Sequence, residues 1–247
     1  MFSSNKTMER NKTSTEIRNM RTSDIVMIFR FKDADNLLER FMHYNLRHCN
    51  CFIAMDDRST SDSCYNELKE HEKCAGIILK KSDCHFSEIC DRESLYSLAI
   101  TTGKTFALYL DADEILDESF TDEISTVPDS EYYSANMLTL YPDECHYITH
   151  GIYANHKTTI LAKLSDRHYD LSDINRLHLS RFPAKPGRNV YSLSSKIYHF
   201  SLCSSDRIKQ RYEFYKSHDP DSVYQKRGYD HLLRKYKFAP LNKKWEI

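Results

Sequence analysis

Between residues 24 and 110 the chain alternates short apolar runs with longer stretches of helical spacing. The runs are DIVMIFR, CFIAM, GIILK and FALYL; the stretches between them are NLLERFMHYNL, SCYNELKEHEK and SEICDRESLYSLAITTG. A short apolar run without polar alternation suits a strand buried on both faces, as happens when helices cover both sides of a parallel sheet. Strand and helix repeated three times and closed by a fourth strand predict a doubly wound α/β sheet. Leu37, Leu38, Phe41 and Leu46 are spaced for one helical face, and Ile89, Leu95, Leu98 and Ala99 for another. Asp33 or Asp35 is placed to cap the first helix and Gly103 to stop the third.

After Asp117 the pattern changes. EYYSANMLTLY, TTILAKL and KIYHF read as strands with mixed alternation, and SSDRIKQRYEFYKS and YDHLLRKYKF as a helical tail. Residues 1–22 are polar and read as a flexible arm. The expected organisation is this arm, one domain over 23–203, and a basic helical extension over 204–247 packed on the same domain. With 247 residues and 40% hydrophobic content the chain can bury one such core.

The formal net charge of −1 gives no global attraction to nucleic acid or membrane. Locally the charge is uneven. Thr105 to Glu144 holds eleven Asp or Glu and no Lys or Arg, whereas Asp206 onward holds eleven Lys or Arg against six acids. No nucleic-acid module motif accompanies the basic tail, so nucleic acid is not an expected partner. The tail has three readings: packing through Tyr212, Tyr215 and Tyr236, binding of a diphosphate, or peripheral contact with anionic lipid. The eight cysteines form no C-x-x-C pair, and no leading hydrophobic segment or long apolar run is present. The expectation is reduced thiols and a cytoplasmic, at most membrane-peripheral, location. The sequons at Asn5 and Asn11 are then chance matches.

FALYL runs straight into DADEIL, and CFIAM into DDRSTSD. In α/β sheets ligands bind beyond the C-terminal strand ends, where both acidic clusters fall. Asp111 and Asp113 would point the same way if the extended geometry persisted. Converging carboxylates repel unless something positive lies between them, and no Lys or Arg is near in sequence. Mg²⁺ or Mn²⁺, hard cations with oxygen ligands, would answer that need. The bland reading is a solvated helix start with acids at its N-terminus. The chain has five glycines and no glycine-rich phosphate loop. A bound nucleotide would therefore have its diphosphate met by metal and basic side chains. Asp56 and Asp57 can accept hydrogen bonds from a base or ribose; the alternative is a capped turn.

Together, IFRFKDADNLLERFMHYNLRHCNCFIAMDDRSTSDS, FALYLDADEIL and SKIYHF (195–200) resemble the family 2-like glycosyltransferases of GT-A fold, over residues 24 to 200. The resemblance implies an α/β fold of nucleotide-diphospho-sugar transferase type, a Rossmann-like mixed sheet flanked by helices. It implies transfer of a sugar from a nucleotide-sugar donor, UDP-sugar favoured, to a glycan or other hydroxyl acceptor. Carried over, Asp56 and Asp57 would contact the nucleoside, and Asp91 or Arg92 the base or diphosphate. Asp111 would contact ribose or the metal's sphere, Asp113 would ligate Mn²⁺ or Mg²⁺, and His199 would complete the site. His199 also reads as a core histidine between Tyr198 and Phe200.

An inverting enzyme needs a carboxylate to take the acceptor proton. The late E-D pair that many family members use is absent. Asp143 in YPDECHY and Asp173 in HYDLSDIN are the candidates, with Glu144 and Asp170 beside them. The Q-x-x-R-W helix is absent too, which argues against a processive synthase. Two other classes stay open. A D-x-D phosphohydrolase would want Thr or Val where Ile115 stands, and an earlier motif. A catalytically silent relative serving as a binding subunit fits the missing base, although Asp113 is intact.

Overall fold

The computed structural model describes residues 20–245 except 82 and 184–186. The arm expected over 1–22 lies outside the described residues up to position 19, as do both sequons. The front half is β1 (Ile25–Phe31), α1 (Asp35–Asn45), β2 (Cys51–Asp57), α2 (Ser63–Glu70), β3 (Cys74–Lys80), α3 (Glu88–Thr101) and β4 (Phe106–Tyr109). β1 pairs in parallel with β2 and β4, and β2 with β3. β1, β2 and β4 are buried on both faces because alternate residues enter different layers, whereas the edge strand β3 has no buried residue and leaves Leu79 exposed. Ile25, Met27 and Phe29 pack with Leu38, Phe41 and Leu68 on one side; Val26 and Ile28 pack with Leu95, Tyr96 and Ala99 on the other.

The back half turns this sheet mixed. β5 (Glu114–Leu116), α4 (Phe120–Ile124), β6 (Tyr132–Thr139), β8 (Lys157–Lys163) and β9 (Val190–His199) give the order β3-β2-β1-β4-β8-β6-β9-β5, once β7 (His146–Ile148) is set aside. β8 runs antiparallel to β4 and β6, β9 parallel to β6, and β5 antiparallel to β9. β7 pairs with β10 (Phe238–Pro240) in a separate two-stranded sheet. The expected Rossmann-like mixed sheet flanked by helices is therefore present. No helix among the described residues is long and apolar enough to cross a membrane.

Several local expectations are corrected. Ala34, not Asp33 or Asp35, is the N-cap of α1, and no side chain caps it. Asp33 instead adopts φ 44° and accepts from the Thr60 backbone N–H at 2.7 Å, tying the β1 and β2 loops together. The extended geometry after β4 does not persist. The chain turns at 112–113, with the Glu114 N–H bonded to the Asp111 carbonyl at 2.9 Å. The second tail helix is a 3-10 turn at Asp230–Leu233 leading into β10, because pairing with β7 draws Phe238–Pro240 into a strand. Gly103 does follow α3, at φ 67°. Helix α5 (Ser205–His218) forms as expected, capped by Ser204.

β5 is only three residues long and lies at the edge of the sheet. Its free side is closed by a side chain. Asn45, fully buried at the end of α1, donates to the Glu114 carbonyl and accepts from the Leu116 N–H, both at 2.9 Å. Asn45→Ala leaves two buried backbone groups unpaired and is expected to cost about 3 kcal/mol, read by urea unfolding.

Glu123 joins α4 to β9. It accepts from the Ser194 N–H and hydroxyl at 2.6 and 2.7 Å and from the Ser195 N–H at 2.9 Å. Burial would raise its carboxyl, but the serine donors outweigh that and hold it below the usual glutamate range. A depressed carboxyl stabilises the fold above its unfolded-state pKa and loses that contribution as pH falls through the folded value. Wild type should therefore lose part of its stability over that acid window. Glu123→Gln should be less stable at neutral pH and lack this part of the acid dependence, as measured by thermal unfolding against pH.

Candidate active site

A cavity of about 990 Å³ opens where β1, β2 and β4 end. Arg30 and Asp57 come from the ends of β1 and β2, and Asp111 and Asp113 from the turn after β4. The far wall is built by His199 at the end of β9 and by Arg207, Gln210 and Arg211 on α5. The lining holds more arginine and lysine than aspartate and glutamate, so the cavity suits an anionic ligand.

Asp111 and Asp113 both line the cavity. The turn sends them to different partners. Asp111 lies 3.5 Å from the Arg181 guanidinium; Asp113 lies 3.5 Å from His199 Nε2 and 3.8 Å from Arg211. Burial disfavours the Asp113 charge, but His199, then Arg211 and Arg207, more than offset this and hold the carboxyl far below the usual range. Asp113 is therefore an anion at any physiological pH. His199 is buried, and its Nδ1 shares a 3.2 Å hydrogen bond with the Ser201 hydroxyl, which leaves Nε2 toward Asp113.

Glu114 supports this turn from within. It is 1% exposed, accepts from the Asp111 N–H at 3.0 Å, and meets Arg181 at 2.5 Å. Arg181 also donates to the Tyr109 carbonyl at 3.0 Å. Positive charge thus reaches the acidic strand end from a remote loop, where the sequence offered only a cation from solution.

Among the described residues no three His, Cys, Asp or Glu side chains form a ready-made cation site. Asp113 and His199 supply two adjacent donors. A hard cation that keeps phosphate oxygens and water in its sphere needs few ligands from the protein, so the pair fits Mn²⁺ or Mg²⁺ on those terms.

At the other end, Asp57 is buried and bound by Arg58 at 2.7 Å. Burial opposes its charge, but Arg58, Arg30 and Lys80 lower its carboxyl below the ordinary value. Arg30, Arg58 and Lys80 all lie against the Phe86 ring, 5.3 to 5.7 Å from its centre. Asp91 does not line the cavity; it is buried between Arg30 at 2.9 Å and Lys80 at 2.6 Å. Asp56 lies behind the wall, fully buried, and accepts from the Ser59 N–H. Arg92 does line the cavity, paired to Glu88 at 2.5 Å.

The structure thus brings Asp57, Arg92, Asp111, Asp113 and His199 to one cavity, and places Asp56 and Asp91 in its supporting layer. Asp143 and Asp173 are outside it. Asp143 is exposed on the turn before β7 and paired with His146; Asp173 is exposed on a loop and accepts from the Tyr224 hydroxyl. Sequence reasoning missed Arg181, Glu114 and His156. Arg207 and Arg211 were legible as an i, i+4 pair on one helical face, but not the wall that face would build. Tyr212, Tyr215 and Tyr236 pack, half-buried, against a cluster holding Ile148, Leu202, Tyr229 and Leu232.

No protein-family model and no curated protein sequence matches the chain. Solved structures to which it is similar include S. aureus TarS 1–349, at 10% identity and TM-score 0.44 over 87% of this chain and 69% of that one. Another is GalNAc-T7, crystallised with UDP, GalNAc and Mn²⁺, at 13% identity and TM-score 0.37 over 47% of this chain and 23% of that one. A third is the inositol-1-phosphate CTP transferase of T. maritima, at 8% identity and TM-score 0.41 over 80% of this chain and 97% of that one. The chain spans 37% of TarS 1–349 in its UDP complex, at 14% identity and TM-score 0.36 over 49% of this chain.

Proposed function

We propose that this chain is a metal-dependent glycosyltransferase of GT-A type, moving a sugar from a nucleotide-diphospho-sugar, UDP-sugar first, to an acceptor hydroxyl. The observation that carries the reading is the Asp113–His199 pair facing Arg211 and Arg207 in one cavity at the strand ends. A diphosphate needs counter-charge on both sides, and the chain has no glycine-rich loop to supply it from backbone N–H groups. Mn²⁺ or Mg²⁺ held by Asp113 and His199, with Asp111 beside them, would draw off the charge that develops on the departing diphosphate. Arg207 and Arg211 hold phosphate oxygens from the α5 side. The end lined by Arg30, Asp57 and Phe86 receives the nucleoside.

Calorimetric titration of UDP and GDP, each with and without Mn²⁺, tests this. Binding of UDP that requires Mn²⁺ is the expected result. A folded protein that binds neither nucleotide under either condition overturns the reading and favours a catalytically silent relative.

A further inference from the structure

We infer that His156 is the base that takes the acceptor's hydroxyl proton; the inference rests on the transferase reading above. The cavity's carboxylates already have partners. Asp57 is bound by Arg58, Glu88 by Arg92, Glu114 by Arg181, and Asp113 by His199 and Arg211. Asp111 faces Arg181, and Asp33 is tied to Thr60. Each of these carboxylates is engaged by a neighbouring donor that an acceptor hydroxyl would have to displace.

Three imidazoles line the same cavity. His199 is committed to Asp113 and Ser201, and His178 shares a 3.3 Å hydrogen bond with the Tyr229 hydroxyl. Among the described residues the His156 ring has no side-chain hydrogen bond or ion pair. Its lone pair is open to a ligand.

The sheet places that ring opposite the reacting end. His156 directly precedes β8, and its carbonyl accepts from the Met137 N–H of β6 at 2.7 Å. Met137 is paired with Ile197 of β9, two residues before His199. With strands about 4.8 Å apart, the His156 and His199 backbones are separated by roughly 12 Å. Both residues line the cavity, and that span leaves room between them for an anomeric carbon and an acceptor oxygen. The groups acting on His156 favour the basic form. Although the residue is exposed, desolvation by the surrounding cavity wall, then His199 on β9 and Arg181 on its loop, lower its pKa below the ordinary imidazole value. The ring is neutral at neutral pH.

In the step, an imidazole nitrogen of His156 takes the proton of the acceptor O–H as the oxygen bonds to the anomeric carbon. The bond from that carbon to the diphosphate oxygen breaks, and its electron pair leaves with the nucleoside diphosphate. The imidazolium then returns its proton to solvent.

The test compares wild type with His156→Gln, using release of nucleoside diphosphate from UDP-glucose, UDP-GlcNAc and GDP-mannose with Mn²⁺, water serving as acceptor. The variant is expected to lose about 100-fold in turnover and the acid limb of the pH profile, with UDP affinity unchanged. Wild-type turnover and acid limb in the variant overturn the proposal, as does a parallel loss of UDP affinity, which would make His156 a binding contact. Imidazole NMR of the wild type, with the His156 signal assigned by its loss in the variant, gives a readout independent of turnover. A ring still protonated above neutral pH overturns the proposal. If wild type binds no nucleoside diphosphate, it is the transferase reading that has failed.

Discussion

Changing Asp113 to asparagine is expected to weaken UDP binding in the presence of Mn²⁺ by at least about 100-fold, since even changes behind a metal's ligands cost 10- to 100-fold. Asp113 is the anion of its cluster, and the amide that replaces it keeps the shape without the charge. The local fold should survive. The Asp113 backbone carbonyl holds the Phe200 N–H at 2.9 Å, and that bond does not involve the side chain. Without metal the expected result has the opposite sign. Arg207, Arg211 and His199 lose their counter-charge, so UDP binding in chelator should be equal to wild type or tighter. Calorimetry under the two conditions separates a metal ligand from a merely structural acid. Unaltered Mn²⁺-dependent affinity in the variant would remove Asp113 from the metal site.

Arg181→Met is expected to destabilise the fold by about 3–5 kcal/mol, the range for removing one partner of a buried ion pair. Glu114 would be left 1% exposed with the Asp111 N–H as its remaining donor at that carboxylate. The loss should depend on pH. Burial, and Asp111 with it, already push the Glu114 carboxyl above its ordinary value against the pull of Arg181. Removing Arg181 pushes it further. A raised carboxyl binds protons in the folded state that the unfolded state has released, so stability falls as pH rises between the two pKa values. The deficit measured by urea unfolding should therefore shrink on acidification. Adding Glu114→Gln should recover much of it at neutral pH. A deficit that is flat with pH and not rescued would mean that lost packing, and not stranded charge, is what the substitution costs.

The inner parallel strands β1, β2 and β4 were readable because each is buried on both faces, and such burial is written into consecutive residues. FALYL and CFIAM have no polar position to confuse the assignment, and Gly103 marks its helix end by needing a positive φ. β5 was not readable. Its three residues make a strand only because β9 pairs on one side and the Asn45 side chain on the other. YDHLLRKYKF carries helical spacing, yet its end becomes β10 because β7 offers an unpaired edge.

The sequence by itself determined that two acidic clusters lie at the C-terminal ends of buried strands. A run of apolar residues fixes where a strand stops, and the next residues must then leave the core. Only the tertiary structure decided what those acids meet. Asp111 and Asp113 are two residues apart, but the turn between them gives one to Arg181 and the other to His199 and Arg211. These partners lie some seventy to a hundred residues along the chain. Burial of a strand follows from its own residues. The neutralisation of a charge depends on whichever segments the fold brings within a few ångströms, and spacing along the chain carries no record of that.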